Sequence, residues 1–176
     1  YQVSAASGSL SIPSLFSATA LSPSALIPLS GYDPIQSQTV GTALNLPFTV
    51  KLQDANGTGI PNENVTFKIF SAPTDATGMK LDNQAAIVNQ TTLKVTDAIV
   101  ATAGQASITL TLGNKAGDYL VQASSNSYSI TFTATATAES ANKVVFEMAP
   151  ASVSAGETSA VFRLRAQDQY DNNRAV

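Results

Sequence analysis

The chain of 176 residues carries 9 Lys and Arg against 12 Asp and Glu, a net charge of −3, and has neither cysteine nor histidine. That balance argues against a nucleic-acid footprint, which needs clustered basic side chains. The missing residue types exclude disulfides, thiolate metal sites, Cys nucleophiles and every triad with a histidine base.

Hydrophobic residues make up 44 %, so a packed core is feasible, and charged residues only 12 %, with serine, threonine, alanine and asparagine in place of the missing charge. No apolar run approaches the ~20 residues that cross a bilayer, so membrane insertion is not expected. The chain opens on Tyr1 without a basic leader or cleavage pattern and reads as a mature protein or a fragment of something longer. Low charge and abundant hydroxyl side chains suit a secreted or cell-surface bacterial protein.

In chain order, the opening "YQVSAASGSLSI" (1–12) is a mixed stretch that finds an echo later. At 44–52, "LNLPFTVKL" places Leu44, Leu46, Phe48, Val50 and Leu52 on one parity, the mark of a half-buried strand. Pro47, on the other parity, points to an edge or a bulge. After the turn "DANGTGIPNEN" (54–64), Val65, Phe67 and Ile69 alternate with Thr66 and Lys68. Residues 71–104 form a long insertion containing one more probable strand, "TTLKVTDAIV" (91–100).

Ala106, Ile108, Leu110 and Leu112 then alternate with Ser107, Thr109 and Thr111. The turn "GNKAGD" (113–118) leads to Tyr119, Val121 and Ala123 on one face. Beyond "SSNS" (124–127), Tyr128, Ile130, Phe132, Ala134 and Ala136 alternate with a file of serine and threonine. Threonine suits the wet face of a strand because its branched Cβ fits the pleat. No stretch has helical spacing, so the fold class is all-β, an antiparallel sandwich.

The chain also repeats itself. With Tyr1 set on Tyr119 (offset 118), Val3 meets Val121, Ala5 meets Ala123 and Ile12 meets Ile130. "FTVKLQD" (48–54) matches "FRLRAQD" (162–168) at offset 114. A short insertion around "GYDPIQ" (31–36) accounts for the four-residue difference. A period of this size is close to one immunoglobulin-type sandwich, ~100 residues. The expected organisation is therefore three successive copies. Residues 1–20 are the last strands of one, 25–138 are a complete domain, and 143–176 are the first strands of a third.

"LQDANGTGIPNENVTF" followed by "GQASITLTLGNKAGDYLVQAS" resembles the bacterial immunoglobulin-like domains of the invasin and intimin type. Asp54, Gly57, Pro61, Val65, Thr66, Phe67, Gly104, Ala106, Gly117, Tyr119, Val121 and Ala123 occupy the positions of that family's pattern. The resemblance covers most of 40–125 and implies a scaffold domain, not an activity.

Candidate sites are few. Asp54, Asn56 and nearby Glu63 offer oxygens for Ca²⁺, with Glu139 at the boundary between copies; the resemblance to adhesins with calcium-stiffened junctions motivates this set. The plainer reading is an Asx turn, with Asp54 capping backbone N–H groups. A Lys–Asn crosslink needs a buried lysine, and Lys51 and Lys68 both fall on outward parities. Sugar binding needs exposed rings, and only Tyr32, Phe70 and Tyr170 are candidates. The acids are scattered through turns, so no catalytic pair is expected and the chain reads as a non-enzyme. Sequons stand at Asn56, Asn64 and Asn89.

The function expected is structural: part of a tandem immunoglobulin-like array in a bacterial surface or secreted stalk, adhesin shaft or filament. Its partners would be neighbouring repeats. The alternatives are a fibre subunit joined head-to-tail by strand exchange and an accessory module of a secreted enzyme.

Overall fold

Alternation of apolar with polar residues, many of them hydroxyl-bearing, gives the strands over 48–53, 64–71 and 128–137. A computed structural model describes residues 2–5, 14–17, 22–31, 35–81, 90–94, 103–148, 152–158 and 161–174. Among them lie fourteen strands and no helix.

The chain begins with an antiparallel pair, β1 (Gln2–Ala5) and β2 (Ser14–Ser17), in which Val3 faces Phe16. A two-layer sandwich follows. One layer has three strands in the order β3 (Ala25–Ser30), β5 (Phe48–Gln53), β9 (Gln105–Ile108). The other has five, in the order β4 (Gln36–Thr39), β12 (Tyr128–Thr137), β11 (Gly117–Ser125), β6 (Asn64–Ser71), β8 (Gln90–Lys94). Phe48 of the first layer stacks on Phe132 of the second, ring centroids 4.6 Å apart. Around them Val50, Leu52, Val65, Phe67, Ile108, Tyr119 and Val121 are buried, the inward parities of their strands.

The parity holds even where the backbone changes partner. Ala106, Ile108, Leu110 and Leu112 are all buried. Yet Ala106 and Ile108 pair with β5, whereas Leu110 lies in β10 (Leu110–Thr111), which pairs with β7 (Lys80–Leu81). The insertion thus contributes β7 and β8. Of the probable strand at 91–100, residues 91–94 lie in β8, which edges the five-stranded layer against β6, and 95–100 lie outside the described residues.

Two expectations need correction. Leu46 does not share the core face of Phe48 and Val50: it is 55 % exposed. The strand begins after Pro47, and the Leu46 backbone is held instead by the side chain of Gln36, which accepts from its N–H and donates to its carbonyl. Pro47 therefore marks neither a bulge nor an edge but the position before a central strand. The expected antiparallel sandwich is present, and one pair within it runs parallel. β4 pairs with β12 in parallel, Gln36 with Ala134 through Thr39 with Thr137.

That parallel pair arises because the first strand of the sandwich divides between the layers. β3 belongs to one sheet and β4 to the other, with Gly31 at the crossing. Gly31 has φ of 75°, and a Cβ there would meet Phe48 Cδ1 at 2.8 Å and the Pro47 carbonyl at 2.9 Å. Glycine alone satisfies both constraints.

β13 (Lys143–Met148) and β14 (Arg163–Gln167) form a further antiparallel pair. Its register reproduces β3 with β5. Ala25↔Gln53, Leu26↔Leu52, Ile27↔Lys51 and Pro28↔Val50 correspond to Lys143↔Gln167, Val144↔Ala166, Val145↔Arg165 and Phe146↔Leu164. The ladder slips at the same place in both, between Pro28 and Ser30 and between Phe146 and Met148. Since Phe146 stands where the first pair has proline, proline is not the cause of the slip. The partners are 53 − 25 = 28 positions apart in one pair and 167 − 143 = 24 in the other. Those four residues match the difference between the two sequence offsets.

Candidate functional site

The sandwich has two distinguishable ends. Tyr128, at the start of β12, donates its hydroxyl to the Pro23 carbonyl at 3.2 Å, so it sits with the start of β3 and the Asp54 turn. β12 then runs ten residues, roughly 33 Å, to Thr137, which lies beside Thr39. This far end carries Gly113–Ala116 and Glu139, since Gly41 donates its N–H to the Gly113 carbonyl.

Each of two turns is closed by an aspartate. Asp54 Oδ1 accepts from the N–H groups of Asn56 (2.9 Å) and Thr58 (2.8 Å), and Asp54 donates its own N–H to the Thr58 carbonyl. Asp168 Oδ1 accepts from Tyr170 and Asn172 (both 2.9 Å), and Asp168 donates its N–H to the Asn172 carbonyl. The frames agree further: Ile60 N–H bonds Leu52 O, and Arg174 N–H bonds Ala166 O. Gly57 and Asp171, at matching positions, both have positive φ. Aspartate tolerates that region better than most side chains.

The two turns differ in what faces them. Asp168 is fully buried and Asn172 nearly so, because their turn rests on the far end of the sandwich. Asn172 Oδ1 accepts from Ala116 N–H at 2.8 Å, and its Nδ2 donates to the Asn114 carbonyl at 2.9 Å and to Asp168 Oδ2 at 2.8 Å. Lys115 Nζ donates to the Tyr170 carbonyl at 2.5 Å. Tyr170, one of the rings considered for sugar contact, packs instead against the sandwich core. Phe70 is exposed, and Tyr32 lies outside the described residues.

The socket is firm from behind. Asn114 exchanges hydrogen bonds with Thr77 through Oδ1 (2.8 Å) and through its own N–H to the Thr77 carbonyl (3.0 Å). Tyr119, buried in the core, donates its hydroxyl to the Lys115 carbonyl at 2.7 Å.

Glu139, in the linker, completes the junction. Its N–H donates to Asp168 Oδ2 (3.1 Å), its carbonyl accepts from Arg174 Nη1 (3.3 Å), and its Oε2 accepts from Gln169 Nε2 (2.7 Å). A polar groove of about 620 Å³ runs beside it, lined by Thr39, Ser140, Asn142, Gln169 and Arg174 among others, with no aromatic ring on which a sugar could stack.

Burial pushes the Asp168 carboxyl up, but hydrogen bonds from the Asn172 side chain and from the N–H groups of Asn172, Tyr170 and Glu139 outweigh it and hold the group below the ordinary aspartate range. Asp171 is also lowered, first by its hydrogen bond from Lys143 and then by that lysine's charge.

The residues considered for calcium are thus divided. Asp54 and Asn56 share one turn, where the Asp54 carboxylate is committed to backbone N–H groups, and Glu63 follows nearby just before β6. Glu139 sits at the opposite end. Among the described residues no three His, Cys, Asp or Glu side chains are grouped as a metal site. Glu139, considered in the sequence only as a calcium ligand, lies beside Asp168, and Asn172 was missed. The available signal was the difference between the two aspartate turns at matching positions, Thr58 in one and Asn172 in the other.

No protein-family model and no curated protein sequence matches the chain. Solved structures resemble it. A structure of FdeC, an Escherichia coli adhesin described as broadly conserved and as eliciting protection against urinary tract infections, is 18% identical with a TM-score of 0.50, covering 90% of this chain and 45% of its own. Domains 4 and 5 of the S-layer protein SbsC are 17% identical with a TM-score of 0.42, covering 71% of this chain and 57% of theirs. Domains 4–9 of the same protein give 14% and 0.44, covering 93% and 23%. The chain spans less than half of the FdeC structure. At these identities the likeness is one of fold, and the fold is an all-β, immunoglobulin-like sandwich.

Proposed function

We propose that the chain is a structural segment of a tandem immunoglobulin-like array, of the invasin and intimin type, in a stalk or adhesin shaft at a bacterial cell surface. In this reading residues 25–138 are one repeat, 1–20 end the repeat before it, and 143–176 begin the repeat after it. The observation that carries it is the recurrence of the β3–β5 register and of the Asp54 turn in β13–β14 and the Asp168 turn, the second set seated end-on against the first. The FdeC likeness supports the setting, since that protein is an adhesin.

The mechanism is geometric. Each sandwich is a stiff unit, and the "AESAN" linker (138–142) is short and tied down at Glu139. Stability then behaves nearly as a sum over units and their interfaces.

Val144, Phe146, Phe162 and Leu164 are exposed here, whereas Leu26, Phe48 and Val50, their counterparts for Val144, Phe162 and Leu164, are buried. In this reading they are half of a core that further strands of the same repeat complete. The alternative, strand exchange between separate subunits, draws on the same exposed face. Mass spectrometry of the native protein distinguishes them: a mass near 18.2 kDa fits the subunit and a much larger one the array. Protease treatment of intact cells tests the setting. Release of fragments from this chain is expected, and protection until lysis contradicts it.

A further inference from the structure

We infer that the Asn172 side chain is an orienting bracket between consecutive units, acting on the backbone of the Asn114–Ala116 turn and not on its own turn. The inference rests on reading residues 143–174 as the start of the next repeat.

The chain contains its own control. The Asp54 turn makes the same set of backbone bonds as the Asp168 turn, with Thr58 in the place of Asn172. A carboxamide is therefore not needed to close such a turn. At Asn172 it is spent on the neighbour. Its oxygen takes the Ala116 N–H, and one of its two N–H bonds goes to the Asn114 carbonyl while the other goes back to Asp168 Oδ2. The flanking N–H donor and carbonyl acceptor fix which way round the amide sits. A threonine hydroxyl has a single proton to donate and a shorter reach, so it cannot hold all three partners.

Two backbone contacts of opposite polarity, made by one planar group to one turn, fix direction as well as distance. The turn they grip is itself held by Thr77 and Tyr119, so the bracket couples the next unit to the core of this one. The group is almost fully buried, so water does not replace it cheaply if it is removed. Lys115 and Glu139 add contacts around it, but both are made by longer, more exposed side chains or by the linker.

The test is Asn172→Thr in the 176-residue chain, read by residue-resolved amide exchange. The Ala116 N–H is expected to exchange at least about tenfold faster, the loss of one buried hydrogen bond. The amides of Tyr170 and of position 172 should keep their protection, and residual dipolar couplings should show β13–β14 reoriented against β11–β12. Unchanged Ala116 exchange overturns the bracket. So does joint loss of the turn amides, which would assign the side chain to its own turn, or unfolding of the central sandwich, which the bracket lies outside. Asn172→Ala repeats the test without a hydroxyl. Failure of the underlying reading looks different: β13–β14 pairing would be absent from the unsubstituted chain.

Discussion

Asp168 occupies the same hydrogen-bonded turn as Asp54, 168 − 54 = 114 positions earlier, and the two carboxylates differ in what lies against them. Asp54 serves two N–H groups at a partly open surface, whereas Asp168 serves three and a side-chain amide in full burial. Asp54→Ala should therefore lower the stability of the sandwich by about 1–2 kcal/mol, as loss of a cap does. Urea midpoints measure this. Asp168→Ala should leave that midpoint nearly unchanged while stripping amide protection from Glu139, Tyr170 and Asn172.

The lowered Asp168 carboxyl gives the junction a pH dependence with a definite sign. Because the folded value lies below the unfolded one, the stabilisation is complete above the ordinary aspartate value, about 3.9, and is lost as pH falls through the lowered folded value. The amide signals of Tyr170 and Glu139 should hold their shifts from pH 7 to about 4 and move only below it. Asp168→Asn should remove the Asp168 part of the acid transition, leaving only the movement that Asp171 gives its neighbour Tyr170. Movement between pH 5 and 6 would contradict the assignment.

Gly31 and Gly41 have nearly the same φ, 75° and 73°, but different surroundings. A Cβ at Gly31 runs into Phe48 and Pro47, and one at Gly41 meets nothing within 4 Å. Gly41→Ala should cost about 1 kcal/mol from backbone conformation alone, and Gly31→Ala about 2–4 kcal/mol. Equal urea midpoints for the two variants would remove the steric account of the sheet crossing.

Phe132 joins the layers by stacking on Phe48 in full burial. Phe132→Ala should destabilise the sandwich by about 3–5 kcal/mol, measured by thermal unfolding.

The inward-facing residues were legible in the sequence because parity does not depend on which strand pairs with which. Ala106, Ile108, Leu110 and Leu112 stay buried although the backbone between them changes sheets. Leu46 was not, because its parity is right but the strand starts two residues later, beyond Pro47. The split of the first strand between layers was hidden as well, since it depends on close packing around Gly31. At the junction the aspartate turn was visible, and its consequence was not. Asn172 meets Asn114 and Ala116, more than fifty positions away in sequence, and no local pattern encodes that contact.

In the proposed row of similar sandwiches, the units bear load one after another. Stretching the full-length native protein by its ends in a single-molecule force experiment is the decisive measurement. A regular series of unfolding events is expected, each releasing about 35–40 nm, the extended length of one repeat less its folded span. A single event, or releases of unrelated lengths, would contradict it.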